Sequence, residues 1–438
     1  MSASAKNVLV IGSGISGLSA AIHAAELGMS VVLVSPYPSE RAQSVMAAGG
    51  INAALDVMGE NDSPALHAQE TLAGGCNLEN PATIATFCDE APAMVRWLES
   101  IGVVFSRQKN GELAQRPFGG QSKRRTTYAG ASTGKQIVTA LVQKCRELEV
   151  AGSIERRLNL DFHSALIADG KCYGAAFIDM VSGALVPIQA DATVFAVGGM
   201  NELFGKTTGS KHCDGYTAGQ LLSQGVQLRN LEFIQFHPTT LETANKRMLV
   251  SEAARGEGGR LYYLRDGERV YFMEDKYGER GNLMPRDIVS KCIAECPSQV
   301  YLDISFLGAD VIHERLQEVY DLCLKYRGID VTKESIPVAP SVHFFMGGIR
   351  VDDDHRTNIE NLYAVGECAS KYHGANRLGG NSLLAAVYSG KVAALAAHES
   401  APASTTEQPS FDEHLAQAQS QMEQLQEEGG VPSLSVLQ

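Results

Sequence analysis

In the stretch HGANRLGGNS, residues 373–382, one arginine, Arg377, stands with a histidine and two asparagines among three glycines. A guanidinium carries a planar fork of donors that grips a carboxylate through two hydrogen bonds. Glycines let a backbone pass close to a neighbouring group. A second charged set lies in SEAARGE, where Glu252 and Arg255 are three residues apart and share a face if the segment is helical. Taken alone, Glu252, Arg255 and the Arg286 of MPRDIVSK read as a structural ion-pair network. The isolated His237 of QFHPT and His343 of VHFFMGG read, taken alone, as satisfied core histidines.

The elements that must position such groups begin at the N-terminus. In NVLVIGSGISGLSAAIHAAELGMSVVLVS an apolar run, Val8 to Ile11, meets Gly12, Gly14 and Gly17, then an Ala-rich helix ending near Gly28, then a second β-run, Val31 to Val34. Strand, glycine turn, helix and strand in this order form a dinucleotide site. Gly12 makes the tight turn, Gly14 admits a pyrophosphate, Gly17 lets helix and strand pack, and the helix N-terminus holds the phosphates. The acidic residue expected at the end of the second strand is replaced by Ser35, with Glu40 the nearest acid. Two later stretches, ATVFAVGGM (192–200) and NLYAVGECAS (361–370), repeat the strand-then-glycine theme. Ligands of open α/β sheets bind at such strand ends, so one nucleotide-binding domain is expected from both ends of the chain, 1–230 plus 341–398. Residues 231–340, richer in charge and β-runs, are expected to be an inserted domain.

Composition sets outer bounds. The 438 residues, 44% hydrophobic and 20% charged, describe a globular chain of two or more domains. A net charge of -13 argues against nucleic acid or an anionic membrane surface as the main partner, but not against an anion in one local positive pocket. The nine cysteines form no CxxC pair and no metal-ligand spacing, although Cys292 and Cys296 would sit one helical turn apart; reduced thiols in a cytoplasmic protein are expected, with no metal. Neither a secretory leader nor an uncharged run of about 18 residues appears, so no direct membrane insertion is expected.

Taken together, the glycine fingerprint, AAGGINAAL, RPFGGQSKRRTTYAGASTGK, QFHPTTL, SEAARGEGG, MPRDIVSK, VHFFMGGI, LYAVGEC and HGANRLGGNSLL occur in one order over residues 6–395. The chain resembles the flavoprotein subunits of fumarate reductase and succinate dehydrogenase, and their relatives the L-aspartate oxidases. The resemblance implies an α/β fold: a Rossmann-like FAD-binding domain with an inserted α+β capping domain, and a small dicarboxylate held between them. It implies that Arg377 and His343 clamp one carboxylate, that His237 and Ser251 hold the other, and that flavin N5 supplies a hydride while Arg286 delivers a proton. Glu252 and Arg255 would restore that proton. An arginine is a poor acid in isolation, because its pKa lies above about 12, so immediate reprotonation by a neighbour is what makes brief donation feasible. The FAD contacts implied are Gly12, Gly14, Gly17, Ser35, Ser44, Gly49, Gly50, Gly198 and Glu367. Asn381, Ser382 and Leu383 would begin a helix against the isoalloxazine, its dipole favouring the anionic reduced flavin, and His373 would stack nearby.

Three departures from the family pattern carry consequences. Gln43, in RAQSVMAAGG, stands where membrane-complex members place the histidine bonded to FAD, so non-covalent FAD is expected. Phe118, in RPFGGQ, stands where the aspartate oxidases use a glutamate for the amino group, which favours fumarate over aspartate. The tail, 399–438, is expected to be a linker, SAPASTTEQPS, and a short helix whose apolar stripe, Phe411, Leu415, Ala418, Met422 and Leu425, packs on the parent body rather than on a second copy. The expected function is fumarate–succinate interconversion with a redox partner of unknown identity. L-aspartate oxidation, and a non-catalytic flavin-binding electron-transfer subunit, stand as alternatives.

Overall fold

Short uninterrupted runs of Val, Leu, Ile and Ala suit strands buried on both faces, and such strands pair in parallel. A computed structural model describes residues 5–130, 132–244, 246–400 and 409–427. In it the runs form a five-stranded sheet in the order Leu362–Ala364, Ala192–Phe195, Asn7–Ile11, Ser30–Ser35, Ile154–Leu158, parallel throughout. Strands from the two ends of the chain therefore lie side by side. The helix Ile15–Glu26 packs along the helix Asn381–Ser400. The approach is close enough that a Cβ at Gly390 would meet Ala20 N at 2.7 Å.

A second sheet draws all six strands from residues 234–345, in the order Arg247–Leu249, Ile234–Glu242, Ile336–Phe345, Val300–Asp303, Arg260–Arg265, Glu268–Val270. Every pairing in it is antiparallel. Helices Phe272–Tyr277, Arg286–Ala294, Ala309–Arg315 and Gln317–Arg327 share its apolar core. The boundary expected at 340/341 falls inside the strand Ile336–Phe345, which runs on to carry His343. Where this strand pairs with Ile234–Glu242 the register shifts between Gln235 and Phe236 and again between His237 and Thr240. Such irregularities re-aim side chains, and here they flank Gln235 and His237.

The loop before Arg377 has its own constraint. Tyr372 has φ +71, a conformation costly for a bulky residue. The surroundings fix it: its ring stacks on Phe87 at 4.4 Å and 12°, and its hydroxyl lies 2.6 Å from His355 Nε2.

In the tail, Phe411 is buried against Leu166 and Ala176, with Leu415 beside it, so the helix Asp412–Glu427 packs on the parent body. The side chains of Met422 and Leu425, and linker residues 401–408, lie outside the described residues. All nine cysteines are free. Among the described residues no helix is long and apolar enough to cross a membrane, and no cluster could hold a metal ion.

Candidate active site

The glycine turn meets a dinucleotide's needs for separable reasons. Gly12 has φ +104, and a Cβ there would come 2.3 Å from Ala196 O; one at Gly17 would come 1.8 Å from Gly12 O. Both glycines are demanded by protein packing. Gly14 is not, since its Cβ would meet Ser44 Oγ at an ordinary 3.4 Å. The helix it opens has no side-chain cap and no acid in its first turn, so its positive end is available to a pyrophosphate. Ser44 faces the same turn, its Oγ 3.4 Å from Ile15 N. The ribose side is less well served. Ser35 Oγ donates to Tyr37 O at 2.6 Å, and the exposed Glu40 pairs with Arg146 at 3.5 Å.

At the end of the Ala192–Phe195 strand, Gly198, Gly199, Asp214, His212 and Glu367 line a small cavity. Glu367 Oε1 accepts from Asn201 Nδ2 at 2.9 Å and Phe345 N at 3.0 Å, and burial raises its pKa. Motif reading does not single out Asn201 or Asp214; a glycine-ended strand flags the loop, not its later side chains. A larger surface cleft of 560 Å³, lined by Leu222, Gln227, Arg229 and Arg350, contains none of the expected site residues.

Gly49 packs on Phe118, so closely that a Cβ added to the glycine would come 2.9 Å from the ring, and Gly50 has φ +134. Arg116 braces this loop from behind, donating to Ala48 O at 2.7 Å and Gly49 O at 3.0 Å. Asn381 begins its helix as expected, but its side chain is engaged elsewhere. Oδ1 accepts from Asn52 Nδ2 at 2.7 Å and pairs with His67 Nε2 at 2.9 Å, while Nδ2 donates to Thr71 Oγ1 at 2.9 Å. Leu383 is buried in the main core and Ser382 is half-buried. The side chains of Asn381 and Leu383 thus face protein. His373 meets Phe344 edge-on at 5.1 Å and is pushed down to about 3 by burial.

The charged residues converge. Glu252 Oε2 accepts from Arg286 Nε at 3.0 Å and Nη2 at 2.7 Å, while Oε1 accepts from Gly119 N at 2.9 Å and lies 3.5 Å from Arg255 Nη2. Burial opposes its charge, but Arg286 and Arg255 win and hold the carboxyl at about 2. Arg255, fully buried, donates Nη1 to Asn282 O at 2.6 Å. Gln235 is a further residue that motif reading missed. Its Oε1 accepts from Arg286 Nη1 at 3.0 Å and from Arg377 Nε and Nη2 at 3.2 and 3.1 Å. Arg377 also lies over the Phe344 ring at 4.2 Å. Burial and then the Arg286 charge push its pKa well down.

His237 and His343 meet edge-on with ring centres 5.1 Å apart. Burial and the neighbouring arginines hold both well below 6.5, so both are neutral. His237 Nδ1 faces Thr239 O at 3.1 Å, and His343 Nδ1 pairs with Thr208 Oγ1 at 2.7 Å. Ser251 accepts from Ala253 N at 3.3 Å. Gln43 donates to Thr208 O at 3.3 Å, which sets it beside the His343 partner. Arg286, Glu252, Arg255, His237 and His343 of the 234–345 segment thus gather with Arg377 of the loop before the helix Asn381–Ser400, and Ser251 adjoins Glu252 in the chain.

The family described as FAD binding domain matches residues 7–383. The chain is 41% identical over 401 residues to the succinate dehydrogenase flavoprotein subunit of Bacillus subtilis (strain 168), covering 89% of this chain and 68% of that protein. It is 36% identical over 405 residues to the L-aspartate oxidase of Streptomyces coelicolor, covering 89% and 68%. Among solved structures, a quinol fumarate reductase of E. coli matches with a TM-score of 0.84 at 34% identity, over 97% of this chain and 75% of that one.

Proposed function

We propose that this chain, which belongs to the FAD-dependent family of succinate dehydrogenase and fumarate reductase flavoprotein subunits, interconverts fumarate and succinate, with fumarate reduction the favoured direction. One observation carries the reading. Three buried guanidinium groups, Arg255, Arg286 and Arg377, gather around Glu252, which pairs directly with the first two, while Arg377 also feels the carboxyl of Glu367, whose charge burial disfavours. Cations outnumber the carboxylate paired with them, and a dicarboxylate dianion supplies the missing counter-charge.

FAD would be held by the Gly12–Gly17 turn, Ser44, Gly49, Gly50, Gly198 and Glu367, and when bound it supplies the hydride at its N5. The lobe of residues 234–345 acts in this reading as a cap over the FAD domain. Arg377 and His343 bind one carboxylate, and His237 and Ser251 the other. Gripping both ends draws electron density from the double bond and stabilises the charge that develops on hydride addition. Arg286 delivers the proton from its guanidinium. Glu252, bonded to two of its N–H groups, orients it and passes back a proton supplied through Arg255, 3.5 Å away; because that carboxyl is held at about 2, it carries the proton only in transit. Gln43 offers no imidazole for a covalent link, so the FAD is bound non-covalently. Phe118, buried beside Gly49, gives a substrate ammonium no anionic partner.

The test is an assay of FAD-loaded protein with a reduced dye and fumarate, and separately with aspartate and oxygen. Fumarate-dependent dye oxidation is expected. Peroxide from aspartate without fumarate turnover would replace this reading with an aspartate oxidase, and silence in both would leave a non-catalytic flavin subunit.

A further inference from the structure

We infer that Gln235 determines the charge class of the ligand: by joining Arg286 and Arg377 through a neutral oxygen it preserves both positive charges for a dianion and disfavours the matching monoanion. The inference rests on the dicarboxylate reading above. Gln235 is 3% exposed and sits on the strand Ile234–Glu242, at the first register shift. Its Oε1 accepts three N–H groups from the two arginines, as described, while its Nε2 donates to Asn376 Oδ1 at 2.8 Å and to the Arg377 carbonyl at 2.7 Å. A guanidinium can only donate and a backbone carbonyl can only accept. The carboxamide is therefore fixed end for end by its partners.

A glutamate of the same length could not satisfy that arrangement while ionised. It would set an oxygen against the Arg377 carbonyl and a full negative charge against both guanidinium groups. Two cations on one neutral acceptor are unfavourable in the protein alone, which is why Arg286 depresses the pKa of Arg377. A bound anion reverses that cost. Replacing the glutamine by an ionised glutamate lowers the local positive surplus by one charge, which is the difference between the dianion and its half-ester.

The experiment titrates FAD-loaded wild type, Q235E and Gln235→Met with fumarate and with its monomethyl ester, following perturbation of the flavin absorbance. Wild type is expected to prefer the dianion. In Q235E the ratio of the two dissociation constants should shift toward the ester by at least about tenfold, as removal of a full opposing charge at close range requires. In Gln235→Met, which lacks both charge and carbonyl, affinity for both ligands should fall while the ratio stays within about twofold of wild type. An unchanged ratio in Q235E, or an equal shift in the methionine variant, overturns the inference. If Q235E does not retain FAD, the methionine variant decides, and undiminished affinity for fumarate overturns it. Failure of wild type to respond to either ligand would instead overturn the dicarboxylate reading, so the two failures are distinct.

Discussion

Arg286 gives two N–H groups to one oxygen of Glu252, Nε at 3.0 Å and Nη2 at 2.7 Å. The arginine is thereby oriented as well as charged, and a lysine cannot reproduce that fork. Arg286→Lys should keep dicarboxylate affinity within a few-fold while turnover falls about 10²- to 10⁴-fold, the usual worth of a positioned acid. Paired ligand titrations and steady-state rates check this. An unchanged rate would mean that the proton comes from elsewhere.

Removing Glu252 has a different signature. Glu252→Gln leaves Arg255 and Arg286 buried without a counter-charge, a change that costs about 3–5 kcal/mol in comparable buried pairs. A large drop in denaturant midpoint is expected alongside lost turnover. The wild-type carboxyl, ordinarily 4.5, is held at about 2. A lowered folded-state value stabilises the protein above the unfolded value, so this contribution is intact above about pH 4.5 and is lost as pH falls toward 2.

Four histidines, His67, His237, His355 and His373, are buried. Their pKa values are all lowered by burial, to about 3 for His67 and His373, about 4 for His355, and well down for His237. Each stays neutral in the fold and takes up a proton only on unfolding. Stability should therefore decline as pH falls below about 6.5, with each group adding up to about 1.4 kcal/mol per pH unit. Denaturant midpoints from pH 7.5 to 5 read this out. A flat profile would mean that these imidazoles are already charged in the native state.

Gln43 should leave the cofactor free to dissociate. Acid precipitation is expected to put the yellow colour in the supernatant, read by absorbance. Colour retained in the pellet would contradict the assignment.

The glycine turn allows a sharper comparison. Gly17→Ala places a methyl 1.8 Å from Gly12 O and should lower stability by about 1–3 kcal/mol, as overpacking does. Gly14→Ala meets Ser44 Oγ at 3.4 Å and Ala42 Cβ at 3.9 Å, both ordinary contacts, and should leave the apoprotein melt unchanged while reducing its flavin content. Equal melts for the two variants would refute this division of roles.

The sequence exposed what is local. Gly12 and Gly17 announce themselves because the steric demand lies within one turn, and the runs around Leu9, Val194 and Tyr363 announce a parallel sheet because both their faces are apolar. Gln235 gave no such signal: its partners lie 51 and 142 residues away, and a lone glutamine in a strand is unremarkable until the strands pair. Asn381 was legible as a helix start, but its side chain goes to Asn52, His67 and Thr71, more than 300 residues distant. The end of the inserted segment is not marked within Ile336–Phe345, because one strand runs unbroken past that point.

Tyr372 kinks the chain five residues before Arg377. In the folded chain the twist is held by Phe87 and His355, with no substrate needed. The entropy of ordering the arginine's loop is therefore surrendered once, at the birth of the molecule, and is not lost again at each encounter.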